Sequence, residues 1–283
     1  MTKKPIQKKR AEVFRALHQA PLFVLANVWD VASARIFETA GFKALGTTSA
    51  GVAATLGYPD GQHIKIEATV DVVRRLVDRT GLPVSADIEA GYGPRTEDAV
   101  ESARVVLEAG AVGINLEDST GDPENPLFDT TSQQEKIRAI KKLTTDQGVG
   151  LLVNARTDVF MLSKQDISGR LKATIERANA YIEAGADCIF VPDLEDMDTN
   201  SMKTLVAEID APLNLIAGSN TPPLDELREI GITRVSLGPR HMRATFALLK
   251  KIASEIMEKG TFSTMTTETM SYSEVNRMFE ADD

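Results

Sequence analysis

The chain has one cysteine, Cys188, in 283 residues. A single thiol cannot build an internal disulfide framework, and it suits a reducing compartment. No cysteine–histidine spacing of the kind that holds zinc is present. Histidine is nearly as scarce: only His18, His63 and His241 occur. No apolar run is long enough to span a bilayer. The first twenty residues are basic but carry no apolar segment, so no secretory signal is expected. Cations are in deficit, with 32 Lys and Arg against 41 Asp and Glu, a net charge of −9. That sign argues against nucleic acid or an acidic membrane as a partner. The expectation is a cytoplasmic protein with no nucleic-acid or membrane partner. An anionic substrate would need a local arginine or metal.

What is present is a repeat of short apolar segments and amphipathic ones. A helix over 5–19 comes first, with Val13, Phe14 and Leu17 on one side; its Lys8, Lys9 and Arg10 read as a solvated face. Strands are predicted over 22–26, 43–48, 83–89, 112–117, 149–156, 187–192, 212–217 and 233–237. Helices are predicted over 31–40, 67–80, 95–109, 131–146, 168–184, 199–208, 224–230 and 240–258. Several end at a glycine: Gly41, Gly81, Gly110, Gly148, Gly185 and Gly231. The strands are apolar on both faces, as a parallel sheet covered by helices requires. Eight βα units in this length predict an α/β protein built as a (β/α)₈ TIM barrel over residues 1–258. No G-x-G-x-x-G turn follows the first strand, which counts against a dinucleotide fold. Residues 259–283 read as a polar connector and one more helix, 273–279. A helix left over after barrel closure is expected to pack on a neighbouring subunit, the alternative being a frayed tail.

The most informative stretch is Ser85-Ala-Asp-Ile-Glu-Ala-Gly-Tyr-Gly93. In a strand, Ser85, Asp87 and Glu89 share one face. Two carboxylates on one buried face repel and lose hydration, so a cation, a proton or an arginine must be near. A structural salt bridge or helix cap would also explain them. Barrel chemistry sits at the C-terminal ends of the strands. The same counting places Asn115 and Glu117 on the fourth strand, Asn154 and Arg156 on the fifth, and Asn214 on the seventh. The second strand runs into Thr47-Thr-Ser-Ala-Gly51, a small-residue turn exposing backbone N–H groups, and a loop with Tyr58-Pro-Asp60 follows. Carboxylates in that number suit Mg²⁺ or Mn²⁺. Arg156 is a natural bidentate partner for a substrate carboxylate. No lysine ends a strand, as a Schiff-base aldolase requires: Lys43 lies at the wrong end and Lys65 beyond the loop. No histidine ends one either, and only His63 is placed to reach the site. Cys188 reads as a packed apolar side chain. Trp29 and Asp30, closing the first strand, either wall the pocket or leave Asp30 as a helix cap.

Together, Asn27-Val-Trp-Asp30, Ser49-Ala-Gly51, Leu56-Gly-Tyr-Pro-Asp60, Asp87-Ile-Glu-Ala-Gly-Tyr-Gly93, Asn115-Leu-Glu-Asp118, Asn154-Ala-Arg-Thr-Asp158 and Asn214 resemble the isocitrate lyase/phosphoenolpyruvate mutase superfamily. The resemblance implies a (β/α)₈ barrel whose last helix is exchanged between subunits, usually in tetramers built as a dimer of dimers. It implies Asp87 as the direct Mg²⁺ ligand, with Glu89, Glu117 and Asp60 acting through metal-bound water. Ser49, Ala50 and Gly51 would present N–H groups to a keto-acid carboxylate or its oxyanion. Arg156 and Asn214 would hold a carboxylate or phosphonate end. Asp60, Arg156 and Glu117 would form the catalytic group. The shared chemistry is C–C or P–C bond cleavage or formation next to a carbonyl, through a pyruvate-like enolate.

The departures narrow that. Lyases of the superfamily carry a cysteine in the loop after the fourth strand, and the phosphonomutases carry a lysine and an asparagine there. Here the loop, residues 119–129, has Asn125 but neither cysteine nor lysine. Thr47 stands roughly where an aromatic residue often covers the ligand, which implies a roomier pocket. Glu89 stands where an aspartate is usual. The expected function is a Mg²⁺-dependent lyase acting on a small α-keto or α-hydroxy dicarboxylate, of the oxaloacetate decarboxylase or acylpyruvate/methylisocitrate lyase kind. Phosphonate chemistry and a non-catalytic keto-acid-binding protein are the alternatives.

Overall fold

The computed structural model describes residues 3–192 and 197–280. Eight parallel strands close into one barrel in chain order. They are β1 (Phe23–Val28), β2 (Leu45–Thr47), β3 (Val84–Asp87), β4 (Gly113–Glu117), β5 (Leu152–Arg156), β6 (Cys188–Val191), β7 (Leu213–Ile216) and β8 (Arg234–Ser236). β8 closes on β1, with Leu25 opposite Ser236. This is the (β/α)₈ barrel that the repeat predicts.

The helices are α1 (Lys3–Leu17), α2 (Val31–Thr39), α3 (Ser49–Thr55), α4 (Ile66–Arg79), α5 (Thr96–Glu108), α6 (Thr130–Gln147) and α7 (Val159–Leu162). They continue as α8 (Ile167–Glu183), α9 (Thr199–Glu208), α10 (Leu224–Ile230), α11 (Arg240–Lys259), α12 (Ser263–Thr266) and α13 (Tyr272–Arg277). The outer helices bury one stripe each; α4 turns Thr69, Val70, Val73 and Leu76 inward. Aspartates start several of them. Asp30 accepts from the Ser33 amide, Asp129 from Ser132 and Asp166 from Gly169. Asp30 is therefore the cap, one of its two predicted readings.

α1 covers the N-terminal end of the barrel. Phe14 is fully buried there, and a Cβ on Gly113 would lie 2.5 Å from its ring, so β4 must begin with glycine. Arg10 departs from its predicted solvated face. Its guanidinium donates to the Val77 and Thr80 carbonyls and ties α1 to the end of α4. Lys8 and Lys9 do remain exposed.

Three short helices were not predicted. α3 occupies the expected small-residue turn, α7 follows β5, and α12 lies in the expected polar connector. β3 also ends two residues early. Ile88 still pairs with the Asn115 carbonyl, but Glu89 takes φ 49° and leaves the strand. Left-handed backbone breaks strand alternation. Glu89 therefore does not continue the face of Ser85 and Asp87.

Among the described residues, no helix is long and apolar enough to cross a membrane. The C-terminal arm leaves apolar side chains in solvent. Tyr272 is 86% exposed, and Phe262, Met265, Met270 and Phe279 are also exposed.

Candidate active site

One cavity of about 210 Å³ opens at the C-terminal end of the barrel. Ser49, Ala50, Asp60, Asp87 and Arg156 line it, together with Asn115 and Ser85. The strand-end reading thus brings these residues together. Glu89, Glu117, Gly51 and Asn214 lie behind the wall.

Asp87 is held from four directions. Its amide donates to Thr47 Oγ1 at 2.7 Å, which fixes the end of β3. Its Oδ2 accepts from the Ser49 amide at 3.2 Å. Its Oδ1 accepts from the Glu89 amide at 3.2 Å and from Asn115 Nδ2 at 3.1 Å. Asn115 is itself oriented, since Asn154 Nδ2 donates to its Oδ1 at 3.0 Å. The registers Asp87–Asn115 and Asn115–Asn154 put the three side chains in one row across β3, β4 and β5.

The Ser49 N–H, expected for a substrate, is therefore spent on Asp87. Gly51 is packed away from the cavity: a Cβ there would lie 2.6 Å from Thr48 Cγ2 and 2.9 Å from Trp29 Cβ. Thr47 lines the cavity, its Oγ1 accepting from the Asp87 amide. Gly46, beside it on β2, lines the cavity too.

Burial first, and then neighbouring carboxylates, raise the pKa of Asp60 and of Glu89. Asp60 stays open at the cavity mouth, and partial loss of water together with the Asp87 charge raises its carboxyl above the usual range. Glu89 is 3% exposed; burial, then Asp87 and Asp60, push its pKa up to about 7. Its Oε2 accepts from the Gln62 amide at 2.6 Å. Among the described residues, no three His, Cys, Asp or Glu side chains gather closely enough to enclose a metal. A cage of direct ligands is therefore absent there, and the donor set fits an ion that keeps most of its water.

Arg156 is already engaged. Its Nε and Nη2 donate to Asp158 Oδ1 and Oδ2 at 2.6 and 3.1 Å, and Nη1 lies 2.9 Å from Glu117 Oε2. Burial opposes its charge, but Asp158 and Glu117 outweigh that and raise its pKa. Burial raises Glu117 well above the usual carboxylate range against the pull of Arg156. The Nε/Nη2 edge that would grip a carboxylate is occupied by Asp158. Asp158 is fixed in turn, its amide donating to Asp118 Oδ1 at 2.9 Å. Asp118 is fully buried and also accepts from Tyr181 Oη at 2.7 Å and Arg177 Nη1 at 3.1 Å. Both aspartates belong to motifs singled out in the sequence, though neither had a role there.

Sequence reasoning missed the other wall of the cavity. Arg234 and Ser236 of β8 line it, as do Arg240 and Arg243 of α11 and Phe190 of β6. Strand parity from Ser236 would have found Arg234. Nothing periodic would have found the α11 pair. No residue of the 119–129 loop lines the cavity. That loop folds on itself, with Ser119 bridging Leu127. His63 is exposed and does not line the cavity; His241 packs its ring 5.3 Å from Trp29.

A parallel barrel with an acidic corner on β3 and arginines on β5 and β8 has its polar cavity where enzymes of this architecture carry their active sites. The family model for phosphoenolpyruvate phosphomutase matches residues 14–257. The chain belongs to that family, within the isocitrate lyase/phosphoenolpyruvate mutase superfamily. An uncharacterized protein of Mycobacterium tuberculosis is 37% identical, over 78% of this chain and 79% of its own length. The 2-methylisocitrate lyase of Escherichia coli is 25% identical, over 94% of this chain and 92% of its own. A crystal structure from Burkholderia cenocepacia, provisionally described as a lyase/mutase, is 36% identical with a TM-score of 0.91. It covers 99% of this chain and 98% of that one. The fold is also shared, at 20% identity and a TM-score of 0.83, with phosphonopyruvate hydrolase bound to oxalate and Mg²⁺; the match covers 95% and 94% of the two chains.

Proposed function

We propose that the protein is a Mg²⁺-dependent carbon–carbon lyase. Its substrate is a small α-keto or α-hydroxy dicarboxylate, cleaved through a pyruvate-like enolate. The carrying observation is Asp87, whose carboxylate accepts three hydrogen bonds and whose amide donates a fourth, at the edge of a cavity it shares with Asp60 and Arg156. Asp87 is the residue to hold Mg²⁺ directly. Asp60, which lines the same cavity, is at hand to accept from its water, with Glu89 and Glu117 behind the wall; burial, then the Asp87 and Asp60 charges, raises the Glu89 pKa and marks a corner short of positive charge. When bound, the ion supplies the charge that stabilises a developing enolate.

The protein's own groups orient the substrate. The row Asn154–Asn115–Asp87 fixes the acidic corner before substrate arrives, and such preorganisation lowers the barrier. Arg156, clamped by Asp158 and Glu117, presents positive charge beside the cleavage point without rearranging. The acid that would protonate a departing carbanion has no candidate in the 119–129 loop. Loss of CO₂ needs no such acid, which favours decarboxylation of a β-keto acid such as oxaloacetate. Cleavage of an acylpyruvate or methylisocitrate-like substrate needs one more proton donor. The arginine-lined side of the cavity keeps phosphonate chemistry as a second reading, which phosphate release from phosphonopyruvate would select.

The exposed apolar row on the C-terminal arm supports a homo-oligomer, with the arm of each chain on its neighbour. The test of function is a keto-acid panel run with Mg²⁺ and with EDTA, scored for pyruvate, CO₂ and phosphate. Turnover that persists in EDTA would reject the metal-dependent reading.

A further inference from the structure

Arg234 is unusual among the charged groups of this barrel. It is 2% exposed, points inward from β8 and lines the cavity. Its Nε donates to Ser236 Oγ at 3.3 Å, and its Nη1 has no acceptor. Among the described residues it forms no ion pair. Arg156, by contrast, has two carboxylates of its own. Burial pulls the Arg234 pKa down to about 10, so the group stays charged at neutral pH. A buried charge without a partner is costly, and removing the charge would relieve that cost.

The neighbouring strand carries a second unfilled donor. Asn214 is the register partner of Arg234 and is fully buried. Ser236 Oγ donates to Asn214 Oδ1 at 3.1 Å, which sets the amide orientation. Asn214 Nδ2 is then left without an acceptor. Arg234, Ser236 and Asn214 thus form one hydrogen-bonded chain with two buried donors unfilled; Arg234 and Ser236 line the cavity and Asn214 stands behind them. The opposite wall holds Asp60 and Asp87. The cavity is therefore polarised, acidic toward β3 and cationic toward β8.

We infer that Arg234, steadied by Ser236 and Asn214, is the receptor for the second carboxylate of the substrate. It selects dicarboxylates over monocarboxylates of the same size. This rests on the function proposed above, in which the keto-acid end of the substrate sits at Asp87. A planar guanidinium that lines the cavity and has no carboxylate of its own matches a planar carboxylate in charge and shape. Arg156, whose Nε/Nη2 edge is filled by Asp158, cannot take that role without releasing it.

The test is calorimetric titration, in Mg²⁺, of wild type, Arg234→Gln and Arg234→Lys. The ligands are oxalate, which occupies only the acidic corner, 2-oxobutanoate and 3,3-difluorooxaloacetate. Wild type is expected to prefer the dicarboxylate to 2-oxobutanoate. Arg234→Gln is expected to lose about 30-fold or more of that preference while binding oxalate within about 3-fold of wild type. Arg234→Lys should recover part of the preference. Equal binding of the two larger ligands by wild type would overturn the inference. So would loss of oxalate and dicarboxylate alike in Arg234→Gln. Wild type that binds none of the three would reject the proposed function and the inference with it; intact Mg²⁺-dependent oxalate binding without discrimination rejects the Arg234 role alone. A ligand-free melting curve of Arg234→Met separates a structural role. An unpaired cation predicts an unchanged or higher Tm, and a fall of about 5 °C or more would contradict it.

Discussion

Asn115 Nδ2 donates to Asp87 Oδ1 at 3.1 Å, from the position directly opposite it across β3 and β4. One oxygen of the expected metal ligand is therefore oriented by an amide, and that amide is oriented by Asn154. Partners of this kind tune ligand geometry and affinity. Asn115→Ala is expected to weaken Mg²⁺ binding about 10-fold with little change in fold. Titration of Mg²⁺ into the variant, with circular dichroism as a control, checks this. Unchanged affinity would mean that the row serves packing alone.

Asp158 acts through Arg156. Its two oxygens hold the guanidinium edge at 2.6 and 3.1 Å. Asp158→Ala frees that edge and lets the side chain move toward Glu117. The expected result is a kcat lowered about 100-fold, as small displacements of a positioned group cost that much. Asp158→Glu should recover little, because the longer side chain cannot keep both contacts. Steady-state kinetics on the panel substrate reads both.

Asp118 governs stability. It is fully buried and accepts from Tyr181, Arg177 and the Asp158 amide. Asp118→Ala leaves the partly buried Arg177 guanidinium without its carboxylate. The expected cost is on the order of 3–5 kcal/mol. Urea unfolding of the variant measures it; a loss below about 1 kcal/mol would mean that the network contributes little.

His18 sets an acid limit. It lies just past α1, 4% exposed, between the rings of Phe14 and Phe23. Burial, then Arg234, lowers its pKa to about 3 from the usual 6.5. The folded state therefore binds fewer protons than the unfolded chain below pH 6.5. Stability from the neutral ring is fully present above 6.5 and is lost as pH falls toward 3, on the order of 4 kcal/mol in total. His18→Leu should flatten that part of the stability–pH curve. An unchanged slope would assign the acid loss to carboxylates.

The barrel and most of its site were legible because strand parity and strand ends obey simple rules. Asp87, Asn115, Arg156 and Asp60 fall where period-2 counting and the loop after β2 put them. Glu89 does not, because the strand stops at Asp87 and a left-handed residue resets the parity. α3 was not legible, since Ser-Ala-Gly reads as a turn unless the following residues pack, and Val52 and Ala53 do. Arg234 does not stand at the C-terminal end of a strand. Its Cα starts β8, and a long side chain carries the charge up to the cavity. The partners of Arg156 were also invisible, because Asp158 curls back from a position that alternation alone does not place.

The central claim is that Asp87 holds a metal for carbon–carbon cleavage. The direct measurement is pyruvate and CO₂ release from oxaloacetate and related β-keto acids, corrected for the rate with Mg²⁺ alone. Wild type and Asp87→Ala would be compared, each with Mg²⁺ and with EDTA. The account predicts Mg²⁺-dependent turnover in wild type, abolished by EDTA and reduced at least about 1000-fold in Asp87→Ala. Equal turnover by wild type and Asp87→Ala, or turnover unaffected by EDTA, would contradict it.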